Sequence, residues 1–204
     1  MFQNLPGLAL LYGSLLFHAI IALRSLYRRA SLRMSLWQWL QLLLGLSILP
    51  LLVGHVVANR GFDLLGDVDP NYFYVTTSLV LKPEFAYKLL ALIPVIWIHM
   101  AIGLHYWLRL KQAYPRYLPW LYALAVLIPA LAYAGVYRML VQASAWVDDP
   151  ARLDQIYAAN NAMSRAEVLF LRGLESQAWI VMAALLLAVL AARQVRLWLQ
   201  ARRG

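Results

Sequence analysis

Five stretches of this chain carry almost no charge, and the polar positions collect between them. They cover about residues 6–23, 35–58, 84–108, 118–141 and 177–199. A helix of about 20 apolar residues crosses the hydrocarbon core of a bilayer, so each stretch predicts a spanning helix. The first is closed by Arg24, Arg28, Arg29 and Arg33, the second by Arg60, and the third by Arg109 and Lys111. The last carries Arg193, Arg196, Arg202 and Arg203 at its end. Trp37, Trp39, Trp107, Trp120, Trp146 and Trp198 gather near these ends, where amphipathic rings anchor a helix at the headgroup level. The pattern predicts an all-α fold: an integral membrane five-helix bundle, forming a single transmembrane domain over residues 1–204.

The connections divide by charge. The first loop holds four arginines, the third holds Arg109, Lys111 and Arg116, and the C-terminal tail is basic. The second loop carries Asp63, Asp67 and Asp69, and the fourth carries Asp148, Asp149, Asp154, Glu167 and Glu175. Basic loops stay on the cytoplasmic side, so the first and third loops and the C-terminus are expected there, with the N-terminus outside. The fourth loop, residues 143–176, is too long for a turn and has helical periodicity over Ala162–Leu174. It is expected to form one or two surface helices capping the outer face. The second loop, with Asn71, Tyr72 and Tyr74, is expected to form a smaller cap.

Composition agrees with this pattern and narrows it. A mean hydropathy of +0.64 and 63% hydrophobic residues against 13% charged leave too little polar surface for a soluble chain of 204 residues. The net charge of +9 sits at helix ends, which argues for membrane anchoring and against nucleic acid. Absence of cysteine excludes disulfides, zinc–thiolate sites and iron–sulfur ligation by these residues. The apolar run at the N-terminus has no preceding positive charge and no small-residue cleavage site, so no cleavable signal is expected.

The candidate chemistry is histidine. All four histidines, His18, His55, His99 and His105, lie inside the predicted spans, where ionisable groups are costly and mark function by default. A neutral imidazole can simply bond a neighbouring helix. Imidazole is also an axial ligand of b-type haem iron, and facing helices of a bundle build such sites. At about 1.5 Å per residue, His18 lies roughly 9–15 Å from the first basic edge, and His99 lies about 15 Å from Arg109. This matched depth suits a pair of axial ligands. His55 lies near the outer end, about 8 Å before Arg60. His105 lies about 9 Å below His99 and points about 120° away, which favours a structural role over ligation or a propionate contact. Pro50 precedes His55 by five residues, as Pro94 precedes His99, and an intramembrane proline kink opens room for a macrocycle.

Several short motifs carry a resemblance. They are Phe17-His18, Leu26-Tyr27-Arg28-Arg29, Leu32-Arg33-Met34, His55-Val-Val-Ala-Asn-Arg60, Trp97-Ile-His99-Met-Ala-Ile-Gly103 and Gly103-Leu-His105-Tyr-Trp-Leu-Arg109-Leu110. In this order they resemble the dihaem cytochrome b anchors of succinate dehydrogenases and fumarate reductases. They resemble more closely the N-terminal membrane anchor of bacterial class III adenylate cyclases. The resemblance covers the first three spans, and topology extends it to the last two. It implies a six-helix anchor with two haems, each held by histidines of two helices. By position, His18 and His99 would hold the inner haem iron. His55 would hold the second haem, with a partner on a helix preceding this chain's first span. That helix has no counterpart in the sequence. Either the chain is shortened at its N-terminus, or it binds one haem and uses His55 otherwise. The relatives continue beyond the last span into cytoplasmic catalytic domains, so no enzyme activity is expected of these residues by themselves.

The resemblance therefore implies a quinone- and redox-responsive anchor in the bacterial inner membrane. It would relay the quinone pool's state to a cytoplasmic effector such as a cyclase domain, in a homodimer. Arg24, Tyr106 and Arg109 are the candidate quinone contacts, and residues of these types at a membrane edge also snorkel as plain anchors. An electron-transfer subunit of a succinate dehydrogenase-like complex, with an iron–sulfur partner, is the first alternative. A haem-free helical scaffold is the second. A transporter fits less well, because inverted repeats and paired intramembrane carboxylates are missing.

Overall fold

The computed structural model describes residues 5–66, 68–69, 71–158 and 164–203. Asp67 of the second loop and residues 159–163 of the expected outer cap lie outside the described residues. Among the described residues the fold is all-α, with no strand. The helices are α1 (Leu5–Arg28), α2 (Leu36–Val56), α3 (Phe62–Gly66), α4 (Tyr72–Leu81), α5 (Pro83–Leu108), α6 (Tyr114–Val147), α7 (Pro150–Ala158) and α8 (Arg165–Ala201). A π-helical turn, Val57–Gly61, joins α2 to α3.

Five helical segments are long and apolar enough to cross a membrane: Leu5–Arg28, Leu36–Leu64, Pro83–Leu108, Tyr114–Val147 and Arg165–Ala201. The chain is thus a multi-pass membrane protein by length and composition. The helices overrun the apolar stretches at several ends. The expected cap at 143–176 divides differently from the sequence pattern: its first residues finish α6, α7 is a short helix, and residues from Arg165 onward are the opening turns of α8. Charged residues such as Glu167, Arg172 and Glu175 look like loop in a hydropathy reading. They are compatible with helix where it extends beyond the hydrocarbon.

The chain separates into two compact units. The first contains Met1–Met34 and Ile180–Gly204, and the second contains Ser35–Trp179. In the first, α1 ends under two arginines of α8. Arg193 is buried and donates from Nε to the Arg29 carbonyl at 2.9 Å and from Nη2 to the Ala30 carbonyl at 2.9 Å. Arg196 donates from Nη2 to the same Arg29 carbonyl at 3.2 Å, and its guanidinium lies 5.2 Å from the Tyr27 ring. Carbonyls just past a helix end lack intrahelical donors, so these guanidinia cap α1 and oppose its negative dipole end. Arg193 and Arg196 therefore do more than mark the edge of a span.

The second unit is built on α2 and α5, with α4 and α6 packed beside α5 and α7 against α4 and α6. Ser35 starts α2 with a capping box: its hydroxyl accepts the Gln38 N–H, and the Gln38 side chain accepts the Ser35 N–H. Asn71 starts α4 by accepting the Tyr74 N–H at 3.0 Å. Thr76 and Thr77 are buried on α4 because each hydroxyl returns to a carbonyl one turn back, at 2.7 and 2.8 Å. Two side chains fasten α5 and α6 together. Trp97 Nε1 donates to the Ala125 carbonyl at 2.8 Å, and the Tyr133 hydroxyl donates to the Leu90 carbonyl at 2.8 Å. Both carbonyls lie four residues before a proline, Pro129 and Pro94, which has no N–H to offer them.

Candidate functional site

The expected ligands fall in both units: His18 is in the first, and His55, His99 and His105 are in the second. His18 lies on an exposed position of α1.

His99 is seated where α5 crosses α2. Its Nδ1 lies 3.1 Å from the Gln41 backbone carbonyl. Its ring rests on Gly45, where an added Cβ would lie 2.7 Å from Cε1. The arrangement is reciprocal. Gln41 sits on Gly103 of α5, where an added Cβ would lie 3.2 Å from its Nε2. Gln41 and Gly45 are four residues apart on α2, as His99 and Gly103 are on α5. Each helix thus offers a polar side chain and, one turn on, the bare backbone that receives the other's polar side chain. The Gln41 Oε1 is buried without a hydrogen-bond partner.

The His99–Gln41 contact fixes a tautomer. A carbonyl only accepts, so Nδ1 carries the proton, and in the neutral imidazole Nε2 then carries the lone pair. Histidines that ligate metals are commonly oriented in this way, by donating the second ring N–H to a carbonyl. The donor chemistry at His99 therefore fits an axial ligand of haem iron. Among the described residues, no group of three or more His, Cys, Asp or Glu side chains converges as a bare metal ion would require. Haem brings four equatorial nitrogens of its own and asks the protein only for axial ligands.

His105 has a different environment. Its Nδ1 lies 2.6 Å from the Tyr114 hydroxyl, and the two rings meet edge-on with centroids 5.6 Å apart. Tyr114 is buried, so this pair fastens the end of α5 to the start of α6. Of the three candidate quinone contacts, Tyr106 and Arg109 are together, with the guanidinium 4.7 Å from the ring centre. Arg24 belongs to the first unit.

His55 lines a cavity of about 150 Å³ with Leu51, Asn59, Ser78, Leu92 and Glu175 among its walls. The adjoining π-helical turn contributes here: Asn59 donates from its side chain to the His55 carbonyl at 2.7 Å. Tyr74 also lines the cavity. Burial, reinforced by the neighbouring Tyr157, pushes its hydroxyl above the ordinary tyrosine range, although the bond to Ser78 opposes this.

At the same cavity stands an ion pair that the hydropathy pattern hides. Lys88 Nζ lies 2.5 Å from Glu175 Oε2, with Glu175 the less exposed partner, and Glu175 presses on Gly54 of α2. Lys88 lies inside the third predicted span, so its charge alone could have marked it, since an intramembrane lysine needs a partner. The partner is 87 residues away in sequence and falls in what reads as a loop. The expectation that paired charges are missing from the helices concerned carboxylates; a lysine–carboxylate pair is what the structure holds. No protein-family model, curated protein or solved structure matches the chain.

Proposed function

We propose that the chain is a haem b-binding, redox-responsive membrane anchor, oriented with its basic loops and C-terminus in the cytoplasm of a bacterial cell. The observation that carries the proposal is the seat of His99: a ring held against Gly45 with its Nδ1 proton committed to the Gln41 carbonyl, the orientation in which metal-ligating histidines are commonly held. The cytochrome b resemblance and the matched depth in the sequence support His18 as the second axial ligand. Bound haem b would supply one-electron exchange with a lipid-soluble quinone. The chain's own contribution is to orient the imidazole, exclude side-chain bulk at Gly45 and hold α5 by the His105–Tyr114 bond. The cytochrome b resemblance supports a downstream cytoplasmic effector and a homodimer; His55 would serve a second haem only if another helix supplied its partner.

The test is spectroscopic. Protein purified in detergent is expected to show b-type bands in reduced-minus-oxidised spectra. His99→Ala and His18→Ala should each lose the inner haem, and His105→Ala should retain it. Wild-type protein expressed with sufficient haem and yet lacking b-type bands would overturn the proposal. A second reading, a haem-free scaffold, is favoured by the hydrogen bonds that His99 and His105 make to neighbouring elements. Under that reading both alanine variants lower thermal stability, and haem supply never changes the stability of the wild type.

A further inference from the structure

The cytoplasmic-type end of α1 has a basic surface of which the haem reading uses only Arg24, as a candidate quinone contact. Ile21, Arg24, Ser25 and Arg28 stand at positions i, i+3, i+4 and i+7, so they form one stripe on the helix. With Arg29 they line an open recess of about 400 Å³. The ion pairs found among the described residues are Arg60–Asp63 and Lys88–Glu175, so no carboxylate neutralises these three guanidinia there. The far end of the helix would ordinarily repel an anion, because its terminal carbonyls are negative. Here Arg193 and Arg196 already occupy the carbonyls of Arg29 and Ala30. The local field is left positive.

We infer that this recess binds the phosphate of an anionic phospholipid. The order of residues along the axis argues for a lipid: Ile21 is apolar and nearest the hydrocarbon, Arg24 and Ser25 follow, and Arg28 and Arg29 are outermost. Over that distance, about 10 Å, the environment of a phospholipid passes from acyl chain to headgroup in the same order. Guanidinium forks one turn apart can each give two parallel hydrogen bonds to phosphate oxygens, and the Ser25 hydroxyl adds a neutral donor. A solitary snorkelling arginine needs neither the stripe nor the recess.

The experiment is native mass spectrometry of the full chain released from detergent micelles, titrated with phosphatidylglycerol or phosphatidylcholine. Phosphatidylglycerol should be retained preferentially. Arg24→Gln with Arg28→Gln should weaken that retention by roughly 30-fold, from about fivefold for each basic residue at a membrane surface. Arg33→Gln, outside the recess, should leave it unchanged. Arg24→Lys with Arg28→Lys keeps the charge and loses the forks, and an intermediate loss is expected; this variant also tests the site if the glutamine pair does not fold. Equal retention of the two lipids, or full retention by the glutamine variant, would overturn the inference. Displacement of phosphatidylglycerol by millimolar inorganic phosphate would reveal a site for the free anion and overturn the lipid assignment.

Discussion

The middle of α2 and its C-terminal end meet the rest of the second unit in opposite ways. Around Gly45 the contact is close and neutral: an imidazole and an amide each lie on the other helix's glycine, and the imidazole bonds a backbone carbonyl. Around Gly54 and His55 the contact is charged: a carboxylate pairs with a lysine in the wall of a cavity, and the helix widens into a π-helical turn. Both stretches use a glycine to admit a polar group, and a cavity opens at Gly54 and His55. The difference follows from where the polar atoms find partners. A neutral ring satisfied by a backbone carbonyl can sit within a packed seam without further help. An ion pair needs hydration or additional hydrogen bonds to offset its desolvation, so space and polar walls accompany it.

The largest expected effect breaks the close contact at the middle of α2. Gly45→Leu places a side chain where the His99 ring lies and should cost about 3 kcal/mol, read as unfolding in a detergent–denaturant titration. Gly45→Ala should cost less, since the ring can rotate away, but it forfeits the Gln41 bond and should diminish any haem signal. At the open end the effect is smaller. Lys88→Met leaves Glu175 without its cation and should cost about 1–2 kcal/mol, below the figure for a fully buried pair because Lys88 is 47% exposed. Adding Glu175→Gln should recover part of that loss, so the double variant should unfold later than Lys88→Met alone. If the double variant is the less stable, the pair is not what sets the character of this end. The smallest effect sharpens the comparison along α5. Tyr114→Phe removes one hydrogen bond to His105 and should cost about 1 kcal/mol, with the His99 seat and any haem spectrum unchanged.

Much of this was legible before any coordinates. Hydropathy alone defined the spans within a few residues at their apolar centres, and the all-α class followed from the same runs. Histidine placement inside those runs was equally plain. The ends were less so, as at Arg165–Glu175, where the stretch expected as a separate surface helix is the opening of α8. Hydropathy reports the solvent that a residue prefers, and a helix continues past the edge of the hydrocarbon at little cost.

The sequence by itself determined that the chain enters the bilayer, where its helices run and which ionisable groups they carry, because each of these depends on composition over about 20 residues. Only the tertiary structure decided that His99 meets Gly45, that Gln41 meets Gly103 and that Lys88 finds Glu175. Such pairings depend on the register of one helix against another. Register is set by side-chain shape at the crossing, and helices of nearly uniform apolarity carry little periodic trace of it. The capping of α1 by Arg193 and Arg196 has the same origin, since a basic residue near a span end reads identically whether it meets water, a phosphate or a carbonyl.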